Sequence, residues 1–530
     1  MRLPSPRAET TLAAAAAVVG AIGVASALTP EMANRVALVR GVLPPASIAA
    51  ARVGSLAFGI ALIWLARSLA RRRRRAWQLA VVVVVALAAA HVVKGLDVEE
   101  ATVSLALLAA LVRYRGRFDV PGDPKTVRPL VVIGATLVAV VAVGASEELR
   151  GAELPDRVSD SLTAVGIVLG FAALYLWLRP LGQAVVQTVG ERRVARALVD
   201  AHGKDSLAFF ALRRDKSYLF SPSRGAFLAY RVVAGTALVS GDPVGDEAEF
   251  DVLLVELRRL ARRSGWRVAV AGASERHLDR YRALGLRPIP LGEEAVVRPD
   301  EFSLEGRAIR KVRQSVSRLE KAGYRLRVVS AEHAGSALRA ELNDVSAEWR
   351  GARPERGFSM SIDDLYVAGT VYAVAERQDG RIGGFLHLAP SPAGHGWSLS
   401  TMRRRRDAPN GLTEFLIVET IGWAKEQQAS ELSLNFCAFT DFLSGERATT
   451  APRRLLRRGL LLADRVFQLE RLYAFNRKFY PHWRRRYICV ERLTDIPAVG
   501  LAYLHAESLL VPPGPWANTR RRVQGTAAPS

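Results

Sequence analysis

Cysteine is nearly absent. The 530-residue chain holds two, Cys437 and Cys489, which excludes a disulfide framework and, lacking a second spaced pair, a zinc finger or ribbon. Histidine is sparse as well: eight residues are scattered along the chain, and His387 and His395 do not stand at metal-pair spacing. The Walker lysine loop, the HExxH helix and the G-x-S-x-G elbow are all missing, so nucleotide hydrolysis, zinc proteolysis and serine-hydrolase chemistry have no carrier. Acid is the other shortage, with 51 Asp and Glu against 74 Lys and Arg, a net charge of +23, although 50% of residues are hydrophobic. Both figures hold only if apolar and basic residues are segregated. They are. Arginine and alanine are abundant throughout, so compositional bias alone accounts for some single arginine runs.

The apolar residues crowd into the first 190. Six segments stand out, near 10–28, 46–66, 77–94, 100–112, 129–145 and 161–178, and several reach the ~20 residues that cross a bilayer. The fourth is short. A cleaved signal peptide is not expected, since further spans follow the first and Arg2 and Arg7 hold its start inside. Arg71 to Arg75 form an unbroken basic loop, and Arg113, Arg115, Arg117, Lys125 and Arg128 follow in another. Between the last two spans lie Glu147, Glu148, Glu153, Asp156 and Asp160. Positive charge marks the cytoplasmic side, so both termini and everything after residue 180 are expected there. Lys94 is expected to snorkel to a membrane edge beside His91. No chain of intramembrane carboxylates suggests a pump.

The rest reads as a basic α/β part. Arg179 to Asp200 suits an amphipathic helix along the membrane. Strands are expected at Leu207 to Leu212, Ser217 to Phe220, Ala226 to Val232, Thr236 to Ser240 and Trp266 to Ala271, with helices at Phe250 to Ser264 and His277 to Leu284. Gly241-Asp242-Pro243 stops the fourth strand, and Asp242 reads equally as a turn cap and as a functional acid. A helix from Ser303 to Gly323 buries Ile309, Val312, Val316 and Leu319. Another face aligns Arg307, Lys311, Gln314, Arg318 and Lys321, beside Arg310. A solvated face would look similar, but like charges repel at this spacing, which favours an anionic partner.

The stretch Ser398 to Phe439 is the most informative. It predicts a strand ending at Met402-Arg403, four arginines from Arg403 to Arg406, a Pro409-Asn410-Gly411 turn, a helix from Leu412, and a strand from Leu432. Its pattern, MRxxxxAPNGxxEFLxxxxxxWAKE, resembles the catalytic domain of the phosphatidylglycerol lysyltransferases, or aminoacyl-phospholipid synthases. The Gly241-to-Gly245 element, Lys321-x-Gly323-Tyr324, Arg356-Gly357-Phe358-Ser359 and the closing aromatic-basic run from Tyr473 to Tyr487 resemble the same family.

The resemblance implies two tandem acetyltransferase-like (GNAT) folds, at 181–320 and 321–505; the apolar runs put a helical membrane domain at 1–180 before them, and Pro-, Gly-, Arg- and Ala-rich composition puts a disordered tail at 506–530 after them. The resemblance also implies transesterification: a lipid hydroxyl attacks the ester joining an amino acid to tRNA. That donor is already activated, so no cofactor or metal is required. The implied partners are aminoacyl-tRNA and a membrane phospholipid, with homo-oligomerisation left open. Arg403, Lys311 and Lys478 are the candidate cations, and Asp242, Glu348 or His387 the candidate base. Arg307, Arg310, Arg318, Lys321, Met402, Asn410, Gly411, Glu414, Trp483 and Arg486 are candidates for substrate binding. In lysine-transferring relatives an acid stands where this chain has Ser400, so a smaller or neutral amino acid such as alanine is expected, unless Glu414 or Glu419 replaces that acid. The chain is too short for the flippase region of bifunctional relatives, and nothing after about residue 500 suits a fused lysyl-tRNA synthetase. The alternatives are a coenzyme A-dependent acyltransferase, although the acetyl-CoA loop is not evident, and a non-catalytic sensor of anionic lipid or RNA.

Overall fold

The computed structural model describes residues 7–29, 44–149, 156–351, 357–358, 361–438 and 469–508. The chain divides into two compact units, one of Met1–Gly182 with Arg259–Trp266, the other of Gln183–Arg258 with Arg267–Ser530.

The first unit is helical: α1 (Arg7–Leu28), α2 (Pro45–Leu69), α3 (Arg74–Gly95), α4 (Val98–Arg113), α5 (Val127–Leu149) and α6 (Asp156–Trp177). Among the described residues four helices are long and apolar enough to span, at Ala8–Leu28, Ser47–Leu69, Arg74–Lys94 and Asp160–Trp177. Four of the six expected spans thus meet this measure, and α4 and α5 stand at the other two positions. Helix α4 has 16 residues, about 24 Å of rise against a hydrocarbon core of about 30 Å. Helices α1 and α2 cross through glycine: a Cβ on Gly20 or Gly59 would lie 2.6 Å from the other's carbonyl oxygen, so only bare backbone allows this approach. Lys94 does not snorkel. It is 1% exposed, donating to Ser26 O at 2.5 Å and Ser26 Oγ at 2.9 Å and pairing with Asp97 at 3.0 Å. An ammonium held by three oxygens needs no water.

The second unit opens with α7 (Val189–His202), then β1 (Ser217–Phe220), β2 (Ala226–Val233), β3 (Thr236–Ser240), β4 (Val244–Gly245), α8 (Phe250–Ser264), β5 (Arg267–Ser274), α9 (Leu278–Ala283) and β6 (Arg287–Val297). There follow α10 (Arg310–Lys321), β7 (Tyr324–Ser330), α11 (Ser336–Arg350), β8 (Val371–Arg377), β9 (Ile382–Ser391), β10 (Gly396–Arg404), α12 (Leu412–Glu426) and β11 (Glu431–Ala438). The described chain closes with α13 (Leu469–Asn476), β12 (His482–Val490) and α14 (Ile496–Ala506).

All twelve strands among the described residues join one mixed sheet, ordered β1-β2-β3-β5-β12-β6-β11-β10-β9-β8-β7, with β4 paired to β2. An antiparallel run β1-β2-β3 is closed by parallel β5, and a run β7-β8-β9-β10 is closed by parallel β11. Strand β12, read above as part of the later α/β unit, inserts between β5 and β6 and is antiparallel to both. Alternating side chains give the sheet two cores. Val371, Ala373, Leu386 and Leu399 pack under α10 and α12, while Tyr372, Val374 and Phe385 face α11.

Three local expectations change. Leu207 to Leu212 is not a strand: Ala208–Leu212 is a 3-10 turn whose Phe209 and Phe210 are buried. The amphipathic helix begins only at Val189, and its Ala195 and Val199 pack with Phe209 and Phe227. Its apolar face is spent on the domain's own core rather than on lipid. The basic helix starts at Arg310 rather than Ser303, because Gly306 takes φ +91°, outside the helical region. The tail expected to be disordered lies almost entirely outside the described residues; Glu507, at its start, is buried and accepts from Phe358 N at 2.7 Å.

Candidate functional site

The site grows from the place where β10 and β11 part. They pair only at Gly396–Glu431, Trp397–Leu432 and Ser398–Ser433. Just beyond, the β9–β10 register shifts between Leu399 and Thr401, and the β6–β11 register between Ser433 and Phe436. Such irregularities bend a strand away from its neighbour. Asn435, at φ +74°, reaches back to donate from Nδ2 to Leu399 O at 2.8 Å. Ser400 is buried there, its Oγ accepting from Ile362 N at 3.0 Å.

Beyond the parting, Arg403 is 8% exposed and stands opposite Phe385. Its charge acts on His387, which is fully buried and stacked on Tyr372 at 5.3 Å. Burial, with Arg403 adding to it, brings His387 down to about 3. A neutral imidazole that weakly basic is a poor proton acceptor near pH 7. Glu348 is occupied too: Oε1 accepts from Arg406 N at 2.6 Å, and Oε2 pairs with Arg405 at 3.3 Å. The carboxylate considered as a base anchors the basic turn instead.

The chain then reverses at Pro409-Asn410-Gly411, and Gly411 takes φ +95°. A Cβ there would lie 2.8 Å from Ser315 Cβ and 2.9 Å from Arg318 Nη2, so glycine meets both a conformational and a spatial requirement. Through that gap Arg318 donates to Asn410 O at 2.5 Å, docking α10 on the start of α12. Arg310, Lys311, Arg318 and Lys321 remain exposed along it, and Arg307 is exposed just before it. One turn into α12, Glu414 pairs with Lys478 at 2.8 Å, and that ammonium also lies 4.9 Å from the Phe475 ring. Trp483 is half-buried, 4.6 Å from the Tyr473 ring, and Met402 packs partly against the same core.

A third group surrounds Arg486, which is fully buried. Its guanidinium donates to Glu294 at 2.6 and 2.9 Å, Asp205 at 2.8 Å and Ser206 at 2.9 Å. Ser433 of β11 donates to the same glutamate at 2.6 Å. Arg486 is therefore corrected from substrate contact to an internal tie: no face of it is left for a ligand. Asp242 sits near this group. Burial and the neighbouring Asp205 charge push its carboxyl up, while Ser274 N donates to it at 3.0 Å and Tyr281 Oη at 2.7 Å.

The candidates thus fall into three neighbourhoods. Lys311, Arg318, Asn410, Gly411, Glu414, Lys478 and Trp483 gather about α10 and α12; Ser400, Arg403 and Glu348 lie toward α11; Asp242 and Arg486 belong to the buried group. One residue escaped sequence reasoning. Lys216 is fully buried, donating to Phe210 O and Ser240 Oγ, both at 2.7 Å, above the Phe358 ring at 4.8 Å. Burial brings it down to about 7. In Arg-Arg-Asp-Lys it looks like a surface charge, and no local pattern marks it.

Residues 196–490 match the family model described as phosphatidylglycerol lysyltransferase, C-terminal. The chain belongs to this family. Among its curated relatives is the lysylphosphatidylglycerol biosynthesis bifunctional protein LysX of Rhodococcus jostii, 31% identical over 503 residues, covering 87% of this chain and 45% of that protein. The chain thus spans about half the length of that relative. L-PGS from Bacillus licheniformis aligns with a TM-score of 0.55 at 24% identity, over 62% of this chain and 98% of that one. The C-terminal domain of an Agrobacterium fabrum protein, described as a lysylphosphatidylglycerol synthetase, aligns at 0.51 with 27% identity, over 59% and 95%. The family suggested by the 398–439 pattern is borne out, and the soluble unit has the fold of these lysyltransferase-family domains. These relatives do not favour the coenzyme A or non-catalytic readings.

Proposed function

We propose that the chain is a membrane-bound aminoacyltransferase. It moves an amino acid from aminoacyl-tRNA to a hydroxyl of a membrane glycerolipid, phosphatidylglycerol foremost. The observation that carries this reading is the docked corner of α10 and α12, where the family's motif residues hold four exposed cations of α10 on a rigid element. A polyanion such as tRNA is the partner such an array suits. The alternating basic and acidic loops of the first unit support a multi-pass chain with a cytoplasmic soluble unit, where charged tRNA is found. The repeated pattern of an antiparallel run closed by a parallel strand supports two tandem GNAT-like halves.

In the reaction the lipid oxygen forms a bond to the ester carbonyl carbon, and its proton passes to a base. The tetrahedral intermediate then collapses, breaking the bond to the tRNA 3′ oxygen, which leaves with a proton. Asp242, whose carboxyl is raised, stands in a separate neighbourhood from Arg403, so a base at Asp242 and an oxyanion site at Arg403 are alternative placements of the transfer. Arg403, largely withdrawn from water, suits the oxyanion.

The test is mass spectrometry of polar lipids from a host with and without the chain. A new aminoacylated lipid is expected, and its absence, with the protein confirmed in the membrane, overturns the reading. The amino acid follows from the same mass. The names of the relatives point to lysine, whereas Ser400 supplies no carboxylate and its hydroxyl is already bonded to Ile362, which favours a neutral residue such as alanine. Clear lysine preference in a side-by-side assay of charged tRNAs would sink the neutral choice alone.

A further inference from the structure

An open groove of about 640 Å³ lies beside the carboxy-terminal half of α12. Phe302, Leu304, Leu326, Val328 and Trp423 line it, each only partly buried against the core beneath. Gly422 leaves part of the α12 wall bare, with nothing within 4 Å of where its Cβ would stand. Glu419, Lys425 and Glu426 also line the groove, the two glutamates seven residues apart and so on one helix face. Glu320 acts on Glu419 as a third like charge.

Around these carboxylates acids are matched with arginine or lysine, as Glu431 is with Arg484 at 2.6 Å and Glu414 with Lys478 at 2.8 Å. Among the described residues Glu419, Glu426 and Glu320 have no ion-pair partner, although the chain carries a net +23. Burial and the two neighbouring acids lift the Glu419 carboxyl above its usual range. With Lys425 beside them, the rim sets two carboxylates and one ammonium against apolar walls, which is complementary to an amphiphile bearing both an ammonium and a phosphate.

We propose that this groove holds the aminoacylated lipid, with its apolar chain along the Phe302–Trp423 walls and its ammonium on Glu419. The proposal rests on the transfer proposed above, and charge decides among its participants. Transfer RNA is a polyanion and does not suit two carboxylates, while the acceptor phospholipid has a phosphate for Lys425 but no cation for Glu419. The aminoacylated lipid alone combines an ammonium with hydrocarbon. Glu419 is then a product-binding residue, and the groove retains or hands on the lipid after the ester has moved.

Full-length protein in nanodiscs, titrated calorimetrically with water-soluble dihexanoyl phosphatidylglycerol and with its alanyl and lysyl esters, tests this. The esters are expected to bind at least about tenfold more tightly than the parent lipid, with Glu419→Gln losing about tenfold of the ester affinity. Gly422→Leu fills the groove from an exposed helical position, where leucine favours the helix; ester preference should vanish. Equal affinity for ester and parent lipid, preference unchanged in both variants, or equally tight binding of trilysine would each overturn the proposal. The esters are supplied ready-made, so the outcome does not depend on the chain forming them. Transfer activity without any ester preference would sink this inference and leave the proposed function standing.

Discussion

Two groups of cations in the soluble unit look alike as sequence and behave oppositely as structure. Arg484-Arg485-Arg486 and Arg310-Lys311 are both basic runs. Arg486 is fully buried with its donors spent on Glu294, Asp205 and Ser206, whereas Arg310 and Lys311 stand in solvent on α10. A buried charge persists only when paired, and its loss strands the partner; an exposed one costs the fold little and stays free to meet a ligand. Charge in the sequence therefore says where to look, and burial says which arginine binds the protein and which binds something else.

Substitutions can break this contrast. Arg486→Met leaves Glu294 buried without its cation and is expected to cost about 3–5 kcal/mol, read as a fall in the denaturation midpoint; an unchanged midpoint would remove the buried tie from the account. Gly411→Ala attacks the link that holds the exposed group in place. Its φ of +95° and the 2.8 Å approach to Ser315 predict a loss of about 1–3 kcal/mol and a drop of roughly a hundredfold in transfer as α10 shifts, both measurable on one purified variant.

Lys216 sharpens the comparison by adding proton exchange. The folded state holds it near 7 and the unfolded chain near its ordinary 10.5, so between those values the unfolded chain binds more protons. Its contribution makes stability rise with pH across that window, by about 1.4 kcal/mol per unit, and lie flat below it. Lys216→Met should flatten that part of the stability curve, and an identical slope in both proteins would refute the assignment. The smallest effect on stability is expected on α10. Arg310→Gln and Lys311→Gln should each change stability by less than about 0.5 kcal/mol, while lowering the salt dependence of tRNA binding by about 0.7–1 in log–log slope.

Periodicity reached local elements well. Thr236–Ser240 and Phe250–Ser264 fall where alternation and the 3.6-residue stripe put them, and the APNG turn forms between strand and helix as its residues demand. Burial of single charges was not legible, because Arg486 and Lys216 acquire it from partners far away in the chain. The shape of the site was hidden for the same reason. Glu348 reads as a free acid until Arg405 and Arg406 return to it 57 and 58 residues later. Ser400 and Asn435 likewise meet the backbone of Ile362 and Leu399 only once the strands have parted. Phe479 of the closing aromatic run is fully buried in the core.

The insertion of β12 between β5 and β6 has a consequence for how the molecule is made. On the ribosome β5 and β6 emerge some two hundred residues before the strand that belongs between them. Until His482–Val490 arrives, both offer unpaired edges, and Glu294 waits without Arg486. Closing so long a loop is entropically slow, and open edges invite pairing with another chain. The nascent protein therefore carries an aggregation hazard in the middle of its sheet, and the last of the described strands to be translated removes it.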